Sequence, residues 1–128
     1  MNRAEALDLL YSHVHEPANR MHALESEAVM RAMAVRLGQD PDKWGLCGLL
    51  HDLDWEKCTN DVERHGLLTA EILRTTSLDP EIIEAIPHHN HDCNMSGAPE
   101  SLMARALVPF ETVTGLVTAC VLVRPDRD

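Results

Sequence analysis

Residues 49–54 read Leu-Leu-His-Asp-Leu-Asp, and the adjacent pair His51-Asp52 decides how the chain is interpreted. The pair comes at the end of an apolar segment with helical character. A neutral imidazole and a carboxylate are both good donors to a divalent transition metal, and each can contribute one bond to the same ion. A helix-capping His-Asp dipeptide is the plainer interpretation, so the rest of the sequence has to decide between the two.

Outward from this pair, the pattern predicts an all-α protein, one domain over residues 1–128 with about six helices. Asp40-Pro41 and Asp79-Pro80 each combine a capping side chain with proline at the first helical position. Residues 54–60 and Asn90–Pro99 read as loops. The predicted helices run from Arg3 to about His15, Asn19 to Leu37, Pro41 to Asp52, Asp61 to Thr75, Pro80 to about His88, and Glu100 to Val123, the last broken near Pro109.

The amino-acid composition limits the kinds of molecule that we expect this protein to bind. Acidic residues number 21 and basic residues 11, for a formal charge of −10. Nucleic acids and anionic membranes usually meet a basic surface, so we expect neither as a partner. A small anionic substrate is still compatible, because a bound cation could attract it locally.

The spacing of the cysteines and the length of the apolar segments indicate the cellular compartment to expect. Cys47, Cys58, Cys93 and Cys120 show no Cys-x-x-Cys spacing, and neither a signal peptide nor a run of transmembrane length is evident. We therefore expect reduced thiols in the cytoplasm.

Eight histidines are distributed over most of the predicted helices. His22 shares a helical face with Val29 and Met33, and His65 shares one with Leu68 and Ile72, so both should point inward. For any one of them, a core histidine satisfied by a single hydrogen bond is the simpler interpretation.

Three further residues add to this pattern. His88 and His89 end the fifth predicted helix, where imidazole can interact with the helix C-terminus. Glu111 lies in the most apolar predicted helix, and a buried glutamate needs a metal, a histidine or an arginine to neutralise it. Helices two to six thus each carry an inward-facing ligand type, and a helical bundle can bring such residues together at a metal site.

The order His22, His51-Asp52, His65, His89 and a final acidic residue resembles that of the HD-domain superfamily of metal-dependent phosphohydrolases. The resemblance covers nearly the whole chain and is closest to a compact prokaryotic branch. The stretches that carry it are Trp44–Trp55, Glu63–Gly66, Glu84–Asn90, Thr114–Ala119 and Val123–Pro125.

Position by position, the resemblance implies that His22, His51, Asp52 and Glu111 bind a metal. It also implies that His65 and His89 complete a second metal site, with His88 as the alternative to His89. The family pattern has aspartate where this chain has Glu111, which adds one methylene, roughly 1.5 Å of reach.

The implied activity is hydrolysis of a small phosphorylated metabolite, for which a nucleotide is one candidate, through metal-activated water. The implied catalytic residues are Asp52, His65 and His89. Mixed nitrogen and oxygen ligands suit one or two ions of iron, manganese, cobalt, nickel or zinc.

The proton acceptor and the residues that meet the phosphate are left open. Asp52, Asp54 and Glu63 are candidates for the acceptor, although the last two read more simply as solvated surface carboxylates. Arg20, Lys57 and Arg64 lie near proposed ligands in sequence, but an ordinary surface charge is the simpler interpretation of each.

Three alternatives compete with a phosphohydrolase. The first is a catalytically degenerate HD-like module that binds a metal or ligand without turnover, an interpretation that Glu111 supports. The second is a separate zinc site in residues 88–93, where a polar loop is the plainer interpretation. The third treats all the histidines as core and cap residues.

Overall fold

The computed structural model describes residues 1–109. α-Helices and 3-10 turns make up the regular secondary structure of these residues. No strand occurs among these residues, which confirms the all-α prediction. The helices are α1 (Arg3–His13), α2 (Pro17–Arg36), α3 (Pro41–Leu50), α4 (Leu67–Leu73), α5 (Pro80–Ala85) and α6 (His91–Asn94). Residues 102–109 are also helical. None of the helices formed by residues 1–109 has both the length and the apolar character needed to cross a bilayer.

Local side-chain caps explain where several helices begin. The Asp40 carboxylate accepts hydrogen bonds from the N–H groups of Asp42 and Lys43 at the start of α3. The Asp79 carboxylate does the same for Glu81 at the start of α5. Both are followed by proline at the first helical position, so these two predicted helix starts are confirmed.

The fourth helix begins later than the sequence pattern predicts. A helix from Asp61 was expected, but residues Val62–Arg64 form a 3-10 turn and α4 starts only at Leu67. Gly66 has a φ of +87°, in the left-handed region that a right-handed helix does not pass through. The predicted boundary is therefore wrong because the chain turns sharply at Gly66.

The predicted loop from Asn90 to Pro99 contains a helical turn. After α5 the chain continues as a 3-10 turn over Ile86–Asn90, since Pro87 has no N–H to extend the α-helical ladder. The single turn α6 follows directly. The buried Asn94 at its end donates from Nδ2 to the carbonyl oxygens of His65 and Pro87, at 3.0 and 2.8 Å. Those two bonds hold the segment against the rest of the fold, which the local sequence does not show.

The predicted loop at residues 54–60 likewise contains a 3-10 turn, Trp55–Lys57.

Ion pairs tie the N-terminal helix and α3 to α2. Glu27 of α2 is buried and accepts hydrogen bonds from Arg3 of α1 and Arg31 of α2, at 2.7 and 3.0 Å. Arg31 also donates to Asp42 in the first turn of α3, at 2.6 Å. Burial acts to raise the pKa of Glu27, but the hydrogen bonds from the two guanidinium groups outweigh it and hold the pKa below its usual range.

Helices α2 and α3 approach each other closely at Gly48 of α3. A Cβ at that position would lie 2.5 Å from the backbone oxygen of Ser26 in α2, well inside van der Waals contact. Only glycine lets the two backbones meet so closely. Around this contact the fully buried apolar side chains form one core, which includes Leu10, Met30, Leu49, Leu50, Leu53, Leu73, Ile82, Ile86 and Leu107.

We predict that Gly48→Ala lowers the free energy of unfolding by about 1–3 kcal/mol, because the methyl group would have to displace the Ser26 carbonyl. Where no neighbour lies close to a helical glycine, Gly→Ala raises the free energy of unfolding. A decrease would therefore indicate the close contact at Gly48. Urea denaturation gives the measurement. Gly45→Ala is the comparison in the same helix: the atoms nearest to its methyl group belong to the Arg31 side chain, which can shift more easily than a backbone carbonyl, although this shift would disturb the ion pair with Glu27. The loss should therefore be smaller than for Gly48→Ala. A more stable Gly48→Ala protein would contradict this packing.

Candidate metal centre

The carboxylate of Asp52 lies among four imidazole rings. Its Oδ2 is 3.2 Å from Nε2 of His22 and 3.2 Å from Nε2 of His51. Its Oδ1 is 3.2 Å from Nε2 of both His65 and His89. Each carboxylate oxygen therefore faces one pair of histidines.

The five side chains come from different parts of the chain. His22 lies in the second turn of α2, and His51-Asp52 follow the last residue of α3. His65 follows the 3-10 turn before α4, and His89 lies in the 3-10 turn after α5. Tertiary packing alone brings them to one point, as expected for ligands that share no local spacing.

Backbone carbonyls fix the orientation of two of the rings. Nδ1 of His51 lies 2.7 Å from the carbonyl oxygen of Gly48, and Nδ1 of His89 bonds that of Ile86. A carbonyl oxygen only accepts, so Nδ1 must carry the proton in each ring. In the neutral tautomer, Nε2 then presents its lone pair towards Asp52, the arrangement found in metal-binding histidines.

The donor atoms form two groups that could each hold an ion. His22, His51 and Asp52 make one, and Asp52, His65 and His89 make the other; within each group the ligand atoms lie within 4.8 Å of one another. Two donors at normal bond lengths from a shared ion are about 3–3.5 Å apart, which the 3.2 Å separations match. The residues present therefore fit a pair of divalent ions that share Asp52 as a common ligand.

The electrostatics of the cluster keep Asp52 ionised and hold a proton on His65 that an ion would have to displace. Burial acts to raise the pKa of Asp52, but the surrounding His51, His22 and His65 outweigh it and hold the pKa well below its usual range. Burial acts to lower the pKa of His65, but hydrogen bonds from that ring to Asp52 and Asp54 raise it to about 9. The site keeps its central carboxylate ionised, as a metal ligand must be.

Asp54 lies behind His65, in a position that the sequence does not reveal. Its simpler interpretation, a solvated surface carboxylate, is wrong because its side chain is fully buried. Its Oδ1 lies 2.6 Å from Nδ1 of His65, and its Oδ2 accepts from the N–H groups of Gly66 and Thr69. These bonds outweigh burial and lower the pKa of Asp54. The partners lie 11–15 residues further along the chain, so no local pattern reveals them.

Two other candidates, His88 and Glu63, do not take part in the cluster. Nδ1 of His88 is 2.8 Å from the carbonyl oxygen of Gly97, so the structure places His89, and not His88, beside Asp52. Glu63 is exposed. Glu111 lies outside the described residues.

The three basic residues considered for phosphate contacts have other partners. Arg20 donates to the carbonyl oxygens of Val14 and Tyr11. Lys57 lies 2.6 Å from Nδ1 of His13, and Arg64 lies 3.7 Å from Glu71. None of the three lines the cavity next to Asp52.

The alternative zinc site at residues 88–93 does not assemble. His88 is turned to Gly97, His91 lies 3.4 Å from Asp92, and Cys93 is exposed. Within residues 1–109, the sets of three or more metal-ligating side chains that converge are the two that share Asp52.

A cavity of about 530 Å³ opens directly onto the cluster. Asp52 keeps 18 % of its side-chain surface exposed, so solvent and small molecules can reach it. The residues that line the cavity are Asn19, His22, Asp52, Trp55, Val62, His65 and Asn90. The arrangement is a buried ligand cluster at the floor of an accessible pocket.

The chain belongs to the HD domain family, whose model matches residues 20–114. This match confirms the resemblance to the HD-domain superfamily.

Several curated proteins that the chain resembles carry the name Ribonuclease Y. The protein from Mycoplasma mycoides is 36% identical over 89 residues, which is 66% of this chain and 20% of the relative. Those from Nitratidesulfovibrio vulgaris (strain DP4) and Lawsonia intracellularis are 32% and 30% identical over 95 residues, which is 73% of this chain and 17% and 18% of the relatives. The match thus spans about a fifth of the length of these relatives. No solved structure gave a significant match.

We predict that Asp54→Asn weakens metal binding about 10- to 100-fold, since a hydrogen-bond partner of a ligating histidine has effects of that size. An amide cannot accept from the ring of His65 and from two backbone N–H groups at once. It favours the His65 tautomer that carries its proton on Nε2, the atom facing Asp52. Competition titration with a chelator measures the affinity, and the histidine ¹⁵N shifts report the tautomer.

Glu63→Gln is the matched control for this substitution, because it removes an exposed carboxylate from the same segment. Equal metal affinity in the wild type and Asp54→Asn would show that Asp54 does not position His65.

Proposed function

We propose that this protein is a metal-dependent phosphohydrolase that acts on a small phosphorylated metabolite, with a nucleotide as the leading candidate. One observation carries the proposal. Asp52 is shared by two groups of metal-ligating side chains at the floor of a cavity large enough for a small ligand. Membership of the HD domain family supports the same class of reaction.

The chain's own residues would hold and orient the ions. His22 and His51 would hold one and His65 and His89 the other, with Asp52 common to both. A pair of divalent ions supplies Lewis acidity for activating water and neutralises charge that develops on a phosphoryl group. Any of iron, manganese, cobalt, nickel or zinc suits the donor set.

Among the candidate proton acceptors, Asp52 has the best position. It is the one of the three that lines the cavity, whereas Asp54 is buried behind His65 and Glu63 is outside the cavity lining. Asp52 would nevertheless be a weak base, because its pKa is held well below the usual range and each of its oxygens faces one pair of proposed ligands. The hydrogen bond between His65 and Asp54 keeps the His65 imidazole in place.

A small substrate fits the charge of the chain better than a nucleic acid does. The formal charge is −10, and no lysine or arginine is among the described residues that line the cavity. Proteins that bind a polynucleotide usually neutralise its phosphates with a row of lysine and arginine side chains. A single phosphate group could instead be neutralised by the ions themselves.

Cleavage of RNA is the second candidate, because the similar relatives carry the name Ribonuclease Y. A metal centre that hydrolyses a phosphomonoester could in principle attack a phosphodiester. The shared region is about a fifth of each relative, so the substrates of those proteins come to this chain only as a hypothesis.

We predict about two equivalents of a transition metal in the purified wild type, about one in His89→Ala and none in Asp52→Ala, because Asp52 contributes to both groups. Elemental analysis, before and after reconstitution with iron, manganese and zinc, gives the stoichiometry. His88→Ala is the matched control, since His88 neighbours His89 in sequence but bonds Gly97, and it should keep both ions. A wild type that holds no ion even after reconstitution would overturn the proposal.

We predict that the reconstituted enzyme releases inorganic phosphate from ribonucleoside 5′-monophosphates and leaves a short single-stranded RNA intact. Phosphate assay and gel electrophoresis measure the two outcomes, with Asp52→Ala as the inactive control. Shortening of the RNA without phosphate release from mononucleotides would favour the second candidate. Metal binding with no hydrolysis, together with activity gained in Glu111→Asp, would favour the degenerate binding module.

A further inference from the structure

We infer that the cavity beside Asp52 binds the base of a nucleoside 5′-monophosphate against the indole ring of Trp55. The inference rests on the proposed function, since it assumes that the phosphate group of the ligand lies at the Asp52 cluster. It goes beyond that function by assigning the side chain that recognises the base, Trp55, and the part of the cavity in which the base lies.

Trp55 presents an aromatic surface to the cavity. It is a large hydrophobic side chain with 38% of its surface exposed, directly after Asp54. Its ring centroid is 5.0 Å from that of His65, with an angle of 69° between the planes. This edge-to-face contact holds the indole beside the candidate metal centre and leaves ring surface for a ligand.

Val62 extends the apolar wall on the same cavity. Its side chain is 40% exposed, and it lines the cavity together with Trp55. Two exposed apolar side chains at one pocket, next to charged groups, are typical of a site that takes a ligand with an apolar face and a charged end. A nucleotide has both.

Two carboxamide groups complete the lining. Nδ2 of Asn90 donates to the carbonyl oxygens of Val62 and His65, at 2.8 and 3.1 Å. Nδ2 of Asn19 donates to Glu56, at 3.1 Å. Within residues 1–109 neither amide oxygen has a hydrogen-bond partner, so both can accept from the amino or imino groups at a base edge.

The size and charge of the pocket favour a monophosphate. A volume of about 530 Å³ is in the range of small-molecule sites. Without lysine or arginine among the described lining residues, a polyphosphate chain would have little to neutralise it beyond the ions. A phosphate at the Asp52 cluster and a base on Trp55 would occupy the metal-binding part and the apolar part of the cavity.

The test compares AMP, GMP, CMP and UMP with ribose 5-phosphate, which has the same sugar and ester but no base. The wild type should prefer at least one nucleotide over ribose 5-phosphate by about ten- to 100-fold in kcat/KM, the range that base stacking provides. Trp55→Ala should reduce this preference about tenfold, and Trp55→Phe should retain most of it. Val35→Ala, which removes a 67% exposed side chain outside the cavity, is the matched control and should leave the preference unchanged.

A binding measurement separates this inference from the proposed hydrolysis. Trp44 is buried, so a base that stacks on the protein should quench the fluorescence of Trp55. Nucleotides should quench the wild type, ribose 5-phosphate should not, and Trp55→Phe should lose the response. This titration uses the intact wild type and stays decisive even if Trp55→Ala does not fold.

The outcomes distinguish the two proposals. Quenching by a nucleotide without hydrolysis of any of these compounds would support the base site and overturn the phosphohydrolase. Hydrolysis of the nucleotides and ribose 5-phosphate with equal kcat/KM, without quenching, would overturn the base site and leave the phosphohydrolase standing.

Discussion

The close approach of α2 and α3 at Gly48 is the constraint on which the candidate site depends. An added Cβ would lie 2.5 Å from the Ser26 backbone oxygen, so the two helices meet with no side chain between them. His22 lies one turn before Ser26 on α2, and His51-Asp52 lie about one turn beyond Gly48, just after the end of α3. The backbone contact thus sets the separation of His22 from Asp52. The Gly48 carbonyl also bonds Nδ1 of His51, so the same residue orients a proposed ligand.

Asp52 then gathers the rest of the cluster. Taking a carboxylate out of water is unfavourable unless charged or hydrogen-bonding groups surround it. Four imidazoles surround Asp52, but its Oδ1 has no hydrogen-bond partner among the described residues, and a bound cation would neutralise it. Asp54 repeats the arrangement one layer further from the cavity, where His65 and two backbone N–H groups satisfy it. His65 lies between the two carboxylates and so couples the turn before α4 to the end of α3.

The charge distribution gives this cluster its proposed use. A chain with a formal charge of −10 repels phosphorylated molecules at long range, and the described cavity lining has no lysine or arginine to reverse that. Ions held by the cluster would be the local source of positive charge. Selection of the remainder of the substrate would fall to the uncharged wall formed by Trp55, Val62 and the two asparagines. Charge and selectivity would thus reside in separate parts of one pocket.

The sequence by itself determined the all-α class, the helix starts at Asp40-Pro41 and Asp79-Pro80, and the inward direction of His22 and His65, because caps and helical periodicity act between residues a few positions apart. The order of its histidines and aspartates also indicated the family. Only the tertiary structure decided the burial of Asp54, the placement of His89 rather than His88 beside Asp52, the late start of α4 and the turn α6. Each depends on hydrogen bonds or contacts between residues far apart in the chain: His65 with Asp54, Asn94 with His65, and His89 with Asp52. Such contacts form only when the core packs, and no local pattern encodes them.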